Sequence, residues 1–305
     1  MIKITNENLI KNYLNLYQHS DQSVRMRESC LNYFFDKKYF GYDGHIFDID
    51  TIKLKEFFIW LKNLDTISLQ TKKAKWAILK SFLNSLMEDY PNFVVKIPKN
   101  GISWIGNINK NGKNLSNANV FATKEEIRAI LNFLRKANFK HYLIIRLLVE
   151  TGMRKGELIN ANISDLDLYE NYINPKKGKT GVKHFFFSQS LGNLLNLYLQ
   201  DRKNIKTNNE YLFITKYLDK YSIRIFNLII KNALKQLEIK KDITTKTFRK
   251  SLNEFRKEMG CSLENRKLLL GHKILDVNVE NYTKSDLETL KKLYNEFNPY
   301  KDLEL

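Results

Sequence analysis

Four separated groups of residues in the second half of this sequence carry side chains able to bind anions or move protons. Arg154, in TGMRKGEL, stands just after Gly152 at a helix start. A guanidinium held there presents a planar fork suited to bidentate phosphate binding. Glu157, three residues on, can pair with it and fix its rotamer, although an ordinary surface arginine with an i,i+3 partner has the same spacing. Lys176, Lys177 and Lys179 cluster in KKGKTG. A lysine on a loop tip can reach an oxygen and donate a proton to a leaving alkoxide, and a solvated basic turn has the same composition. Lys246-Thr-Phe-Arg249 opens a helix that continues RKSLNEFRKEMG, and Leu270-Gly271-His272 is followed ten residues later by Tyr282 in VENYTK. With 16 tyrosines in the chain, a tyrosine at that distance is cheap taken alone.

The elements that must position these groups are mostly helices. Only 4 Pro and 12 Gly occur in 305 residues, which argues for a largely helical protein. Residues 5–18 and 23–35 are helix-like. TIKLKEFFIWLKNL, from Thr51, puts Leu54, Phe57, Phe58 and Leu61 on one face, and Thr71 to Met87 repeats the period with Ala74, Ile78, Leu79, Phe82 and Leu86. Pro98 to Asn119 is rich in Asn, Gly and Lys and reads as a linker. Thr123 with Glu126 then forms a capping box before IRAILNFLRKA, followed by an apolar helix over about 141–151. LDLYENYINP and VKHFFFS read as two short strands around the basic loop. Helices resume at about 189–203, 220–238, 245–259 and 262–270. A last capping box, Ser285 with Glu288, precedes a stripe of Leu287, Leu290, Tyr294 and Phe297.

Charge supplies a partner class. The formal net charge is +18, distributed as +6 over residues 1–118 and +12 over 119–305, so a polyanion is the default partner, nucleic acid before a membrane surface. The lysine and asparagine bias of an AT-rich genome would give a similar balance, so charge alone leaves both readings open. Cys30 and Cys261 form neither a CxxC pair nor a disulfide scaffold, and the 5 histidines show no zinc spacing. MIKITNENLI lacks the apolar run of a signal peptide, and the longest apolar stretch, HYLIIRLLVETG, is broken by Arg146. The expectation is a soluble cytoplasmic protein, nucleoid-associated, with no cofactor, no metal and no membrane partner.

In combination, the four groups resemble the boxes of the tyrosine recombinase (phage integrase and Xer) family. TGMRKGEL is similar to the TGxRxxEL box, GKTGVKHFFFS to the lysine-bearing hairpin, TTKTFRKSLNEF to the second arginine box and LLGHKILDVNVENYTK to the third. The resemblance covers essentially the whole chain. It implies a mainly α fold with a small β-sheet (α+β), in which a helical core-binding domain and a catalytic domain clamp DNA. The corresponding divisions are a core-binding domain at 1–97, a linker at 98–119, a catalytic domain at 120–284 and a C-terminal helix at 285–305 for protomer contacts. The implied reaction is a metal-free transesterification: the Tyr282 hydroxyl attacks a phosphodiester, forms a 3′-phosphotyrosine and releases a 5′-hydroxyl. Arg154, Arg249 and His272 would hold the phosphate. By register, Lys179 would be the general acid, with Lys177 as the fallback. Where the family has a histidine this chain has Lys246, either a base with a depressed pKa or a further phosphate-binding cation.

The implied partners are double-stranded DNA with a specific recombination site and further copies of the chain, in a tetramer of two dimers. Two other readings remain: a small type IB topoisomerase, which Lys246 permits, and a DNA-binding protein on a decayed recombinase scaffold. On the first domain, Lys72, Lys73, Lys75 and Lys80 make a candidate face for DNA, as readily read as a solvated lysine face.

Overall fold

The computed structural model describes residues 4–17, 21–98, 120–175, 184–272 and 287–301. The chain divides into two compact units, Met1–Ser116 and Asn117–Leu305. The linker read over 98–119 lies, from residue 99 on, outside the described residues. The architecture is mainly α with one small antiparallel sheet, as expected. No helix among the described residues is long and apolar enough to cross a membrane.

The first unit contains α1 (Asn6–Asn15), α2 (Asp21–Phe35), α3 (Thr51–Asn63) and α4 (Leu69–Asp89). The side chains of Thr5, Asp50 and Ser68 accept from backbone N–H groups in the first turns of α1, α3 and α4, which satisfies donors that a helix start otherwise leaves unpaired. Leu31, Phe34, Leu54, Phe57, Leu61, Trp76 and Phe82 fill the core. Phe34 meets Phe57 edge-on at 5.0 Å, the arrangement favoured by the ring quadrupoles.

The lysine face expected on α4 is corrected. Lys72 and Lys75 are buried. Lys72 donates from Nζ to the Lys62 carbonyl at 2.6 Å, and the Lys75 ammonium lies 3.1 Å from the Tyr33 ring centroid. Of the four, Lys80 is exposed and Lys73 half-buried. The buried stripe runs Lys72, Lys75, Trp76, Ile78, Leu79, Phe82, Leu83 and Leu86; of the face expected from the period, Ile78, Leu79, Phe82 and Leu86 are buried and Ala74 is exposed. Lysine stems are long alkyl chains that cover apolar surface while the charged head finds a partner. A reading that counts lysine as polar therefore finds most of this face and misses its two lysines.

The second unit is built around a buried helix. It begins with α5 (Lys124–Ala137), where the capping box is formed: Glu126 N–H donates to Thr123 Oγ1 at 3.2 Å, and Thr123 N–H to Glu126 Oε2 at 2.8 Å. Then comes α6 (Phe139–Thr151), in which every residue from Tyr142 to Thr151 is buried. The short α7 (Lys155–Ile159) follows, then β1 (Leu166–Asp167), β2 (Tyr172–Ile173), β3 (Phe185–Phe186), α8 (Gln189–Lys203), α9 (Ile225–Gln236), α10 (Thr245–Glu258), α11 (Leu263–Leu269) and α12 (Leu287–Glu296). Helices α5, α8 and α10 and strand β3 all pack against α6.

The sheet has the order β1-β2-β3, with Leu166 opposite Ile173 and Ile173 opposite Phe185. The stretch read as one strand, LDLYENYINP, is thus two strands and a turn. Asp167 Oδ1 accepts from the N–H groups of Tyr169 and Glu170 at 3.0 and 2.9 Å, and Asn171 takes a left-handed φ of 58°. Aspartate and asparagine do this readily because their short polar side chains bond to nearby backbone. The hairpin tip at 176–183 lies outside the described residues.

The C-terminal helix packs on its own unit. Leu287, Leu290, Leu293 and Phe297 rest against a small cluster of Phe186, Cys261, Leu269 and Tyr294, separate from the main core. Tyr294 stacks on Phe186 with ring centroids 5.8 Å apart, and Lys291 Nζ reaches Glu170 Oε2 at 2.7 Å. Ser285 of the expected capping box is outside the described residues.

Candidate active site

The site forms where α6 ends. Gly152 closes α6 in the left-handed conformation at φ 65°, its N–H donating to the Leu148 carbonyl at 3.0 Å. A Cβ at this position would stand 2.7 Å from Leu252 Cδ2 and 2.8 Å from Leu270 Cδ2. Glycine is therefore required twice, for its backbone angle and because α10 and the end of α11 crowd onto it. Two residues later Arg154 begins α7. Glu157 grips it twice: Oε2 accepts from the Arg154 backbone N–H at 2.7 Å, and Oε1 from Nη1 at 3.1 Å. The carboxylate is buried, while the Arg154 side chain remains 40% exposed. Glu157 thus fixes the guanidinium and leaves part of it open to a ligand.

Arg249 comes from α10, whose start is secured by reciprocal bonds between Thr244 and Thr247 and by Asn227, which accepts from the Thr245 N–H at 3.3 Å. Its Nη1 donates to the Gly152 carbonyl at 2.6 Å, and its Nη2 to the Leu270 carbonyl at 2.8 Å. The same Nη2 lies 2.8 Å from His272 Nε2. An arginine is donor-only, so this ring nitrogen carries the lone pair and the other carries the proton. His272 is placed by the turn after α11, where Gly271 adopts φ 60° and the N–H groups of Gly271 and His272 return to the Leu268 and Lys267 carbonyls. Such a closure satisfies the last carbonyls of a helix.

Burial, and next the charge of Arg154, push the Arg249 pKa down to about 10, with Glu157 opposing. Two guanidiniums therefore repel each other across a site where, among the described residues, the Glu157 carboxylate is already committed to Arg154. Such an arrangement favours an anion, and phosphate matches the fork geometry of both side chains. Lys246 stands three residues before Arg249 on α10 and is exposed.

Of the residues expected to act, Arg154, Arg249 and His272 are brought together, and Lys246 lies one turn from Arg249 on the same helix face. Lys177, Lys179 and Tyr282 fall outside the described residues. The sequence reading missed the two backbone carbonyls that hold Arg249, because main-chain acceptors leave no side-chain signature. It also missed a buried ion pair on α6, Arg146 with Glu150 at 2.7 Å. Its signal was visible as two opposite charges four residues apart in an otherwise apolar helix.

Comparison with known proteins shows the family and the fold. Residues 121–288, more than half of the chain, match the Phage integrase family. Tyrosine recombinase XerA of Saccharolobus solfataricus is 29% identical over 134 residues, covering 42% of this chain and 45% of that protein. XerA of Pyrococcus furiosus is 27% identical over 185 residues, 59% of this chain and 63% of that protein. The chain thus spans about half to two thirds of the length of these two relatives. Tyrosine recombinase XerD of Listeria monocytogenes is 24% identical over 234 residues, 73% of this chain and 74% of that protein. Among solved structures, a Tn1549 transposon integrase in complex with transposon right end DNA superposes with a TM-score of 0.70 at 16% identity, over 93% of this chain and 100% of that one. A lambda integrase dimer bound to a COC' core site gives 0.64 at 16% identity, over 89% and 96%. At such identities the structural likeness is one of fold. Taken with the extent of the family match, the convergence of Arg154, Arg249 and His272 leads to one assignment: the chain belongs to the Phage integrase family.

Proposed function

We propose that this protein is a site-specific DNA recombinase, cutting and rejoining DNA through a 3′-phosphotyrosine on Tyr282. The observation that carries the reading is the mutual arrangement of Arg154, Arg249 and His272, with Arg249 braced by the Gly152 and Leu270 carbonyls and depressed in pKa by burial and by Arg154.

A phenol with an ordinary pKa near ~10 is mostly un-ionised at neutral pH, and neighbouring cations favour its phenolate. As the Tyr282 oxygen bonds to phosphorus, charge builds on the non-bridging oxygens. Arg154 and Arg249 would receive it, and each such donor is worth about 3–4 kcal/mol by comparison with oxyanion-hole deletions. His272, turned from Arg249 so that an N–H faces the phosphate, adds a further donor. Lys179, or Lys177 one step along the loop, protonates the departing 5′-oxygen. Lys246 faces solvent in the substrate-free chain, which suits a phosphate-binding cation better than a desolvated base.

The substrate in this reading is duplex DNA inside the cell, gripped by both basic units, with the first acting as a core-binding domain and residues 98–119 as the linker. Recombination needs several copies on DNA, and α12 is the element suited to passing between protomers. Its seat is a satellite cluster apart from the main core, although Tyr300, four residues beyond the helix, lies in that core.

The test selects a target duplex from a random library by binding, then places two copies of it in one plasmid. Deletion or inversion between the copies is the expected product. Relaxation of any supercoiled plasmid by the monomer, with no recombinant product, would identify a topoisomerase instead.

A further inference from the structure

A second unpaired arginine stands at the far end of α6 from the site. Arg202, in the last turn of α8, lines a cleft of about 730 Å³, a volume within the range usual for small-molecule sites. Ile163, Leu199 and Ile205 give this cleft apolar wall, and Lys203 and Glu210 add one charge of each sign. Lys140, which interacts electrostatically with Arg202, is the second residue of α6 and precedes Gly152 by twelve positions. At 1.5 Å per residue that is roughly 18 Å along the helix axis. The cleft is therefore separate from the pocket of Arg154 and Arg249.

Arg202 is only 5% exposed. Its Nη2 donates to the Asn209 carbonyl at 2.6 Å, its Nε is buried with no partner, and Nη1 makes no hydrogen bond among the described residues. Nor does any carboxylate of the described residues form an ion pair with it. Lys140, half-buried, is in the same condition: its Nζ donates to the Ile214 carbonyl at 2.8 Å. Burial, and next the charge of Arg202, lower its pKa. The end of α8 carries a partial negative charge, but the Asp201 and Arg202 carbonyls already accept from the Asn204 and Ile205 N–H groups. A buried guanidinium without a counter-charge is costly. An anion in the cleft would relieve that cost.

We propose that this cleft binds a small organic monocarboxylate, its carboxylate on the Arg202 guanidinium and its apolar body on Ile163, Leu199 and Ile205. A planar carboxylate matches the guanidinium fork, and the bond is charge-assisted. Glu210 is exposed on the same cleft, so a ligand with several negative charges is repelled where a single one is accepted. The apolar wall rewards a carbon body over a bare ion. This site stands independently of the recombinase reading.

The test titrates the whole chain, with isoleucine and leucine methyl groups labelled for NMR. The probes are 4-bromobenzoate, the neutral 4-bromobenzamide and acetate. Saturable shifts of the Ile163, Leu199 and Ile205 methyls are expected with 4-bromobenzoate. Its affinity should exceed that of the amide by about 10-fold or more, the usual value of hydrogen bonds to a charged group, and should also exceed that of acetate.

Arg202→Met should weaken 4-bromobenzoate by a similar factor. Because Arg202 is buried, Ile205→Asp is the second variant. Ile205 is 40% exposed, so a carboxylate there leaves the core untouched and repels the ligand. Loss of the Ile163 and Leu199 shifts in Ile205→Asp, with unchanged melting, would support the proposal. Equal affinity for benzoate and benzamide, or shifts that persist in Ile205→Asp, would overturn it. Displacement of the probe by duplex DNA would also overturn it, by placing the cleft in the DNA interface.

Discussion

Nη2 of Arg249 and Nε2 of His272 lie 2.8 Å apart, and the same Nη2 also donates to the Leu270 carbonyl. The arginine therefore organises the site before any phosphate arrives, binding the turn that presents His272 and, through Nη1, the end of α6. This dual use of one side chain sets what its replacement should do.

Arg249→Lys keeps the positive charge, but a single ammonium cannot span the Gly152 carbonyl, the Leu270 carbonyl and the histidine at once. Cleavage should fall by about 10²–10³, as when one preorganised oxyanion donor is removed. Duplex affinity, carried mainly by other phosphate contacts, should change little. Single-turnover cleavage with a parallel gel-shift titration separates the two. An Arg249→Lys enzyme of wild-type rate would show that fork geometry is not needed.

Gly152→Ala places a methyl group against Leu252 and Leu270 and forces a non-glycine residue to φ 65°. Backbone strain of this kind costs about 1–3 kcal/mol before the clash is counted. Thermal unfolding should shift down by several degrees, and cleavage should drop as the carbonyl that braces Arg249 moves. Unchanged melting and rate would contradict the crowding described.

Lys246→His and Lys246→Ala test whether this position takes part in the reaction. If a group at this position assists the reaction, histidine should retain cleavage while alanine loses about 10-fold or more. Alanine at wild-type rate would show the position to be idle.

Lys75→Met should leave DNA affinity and its salt dependence unchanged, because the Lys75 ammonium sits on the Tyr33 ring inside the first unit. Lys80→Ala should flatten the slope of log affinity against log salt by about 0.9 if that lysine meets a phosphate. Burial lowers the Lys75 pKa, so its charging works against folding. That cost is full below the lowered value and declines as pH rises through it, and methionine removes it. A weaker DNA slope for Lys75→Met would place its ammonium outside.

Much of this was legible in the sequence because the signals were local. The capping box at Thr123 and Glu126 and the turn-forming Gly152 are read from neighbouring residues, and both appear as expected. The pairing of Arg154 with Glu157 follows from helical spacing alone. The misreadings arose where a residue acts against its class. Lys72 and Lys75 bury their stems, so the buried face of α4 is wider than its apolar residues alone show. Asp167 and Asn171 fold a turn into what looked like one strand. The braces on Arg249 could not be read at all, because they join residues 97 and 21 positions apart through main-chain carbonyls.

The central claim is that the pocket of Arg154, Arg249 and His272 presents a phosphodiester to Tyr282. Its most direct test is a nicked duplex whose short fragment carrying the released 5′-hydroxyl diffuses away after cleavage, so that the covalent intermediate cannot be reversed. Wild-type protein should accumulate a covalent protein–DNA adduct on this substrate, and Tyr282→Phe should form none while still binding the duplex. An adduct with Tyr282→Phe, or no adduct with the wild-type protein on a duplex it binds, would contradict the account.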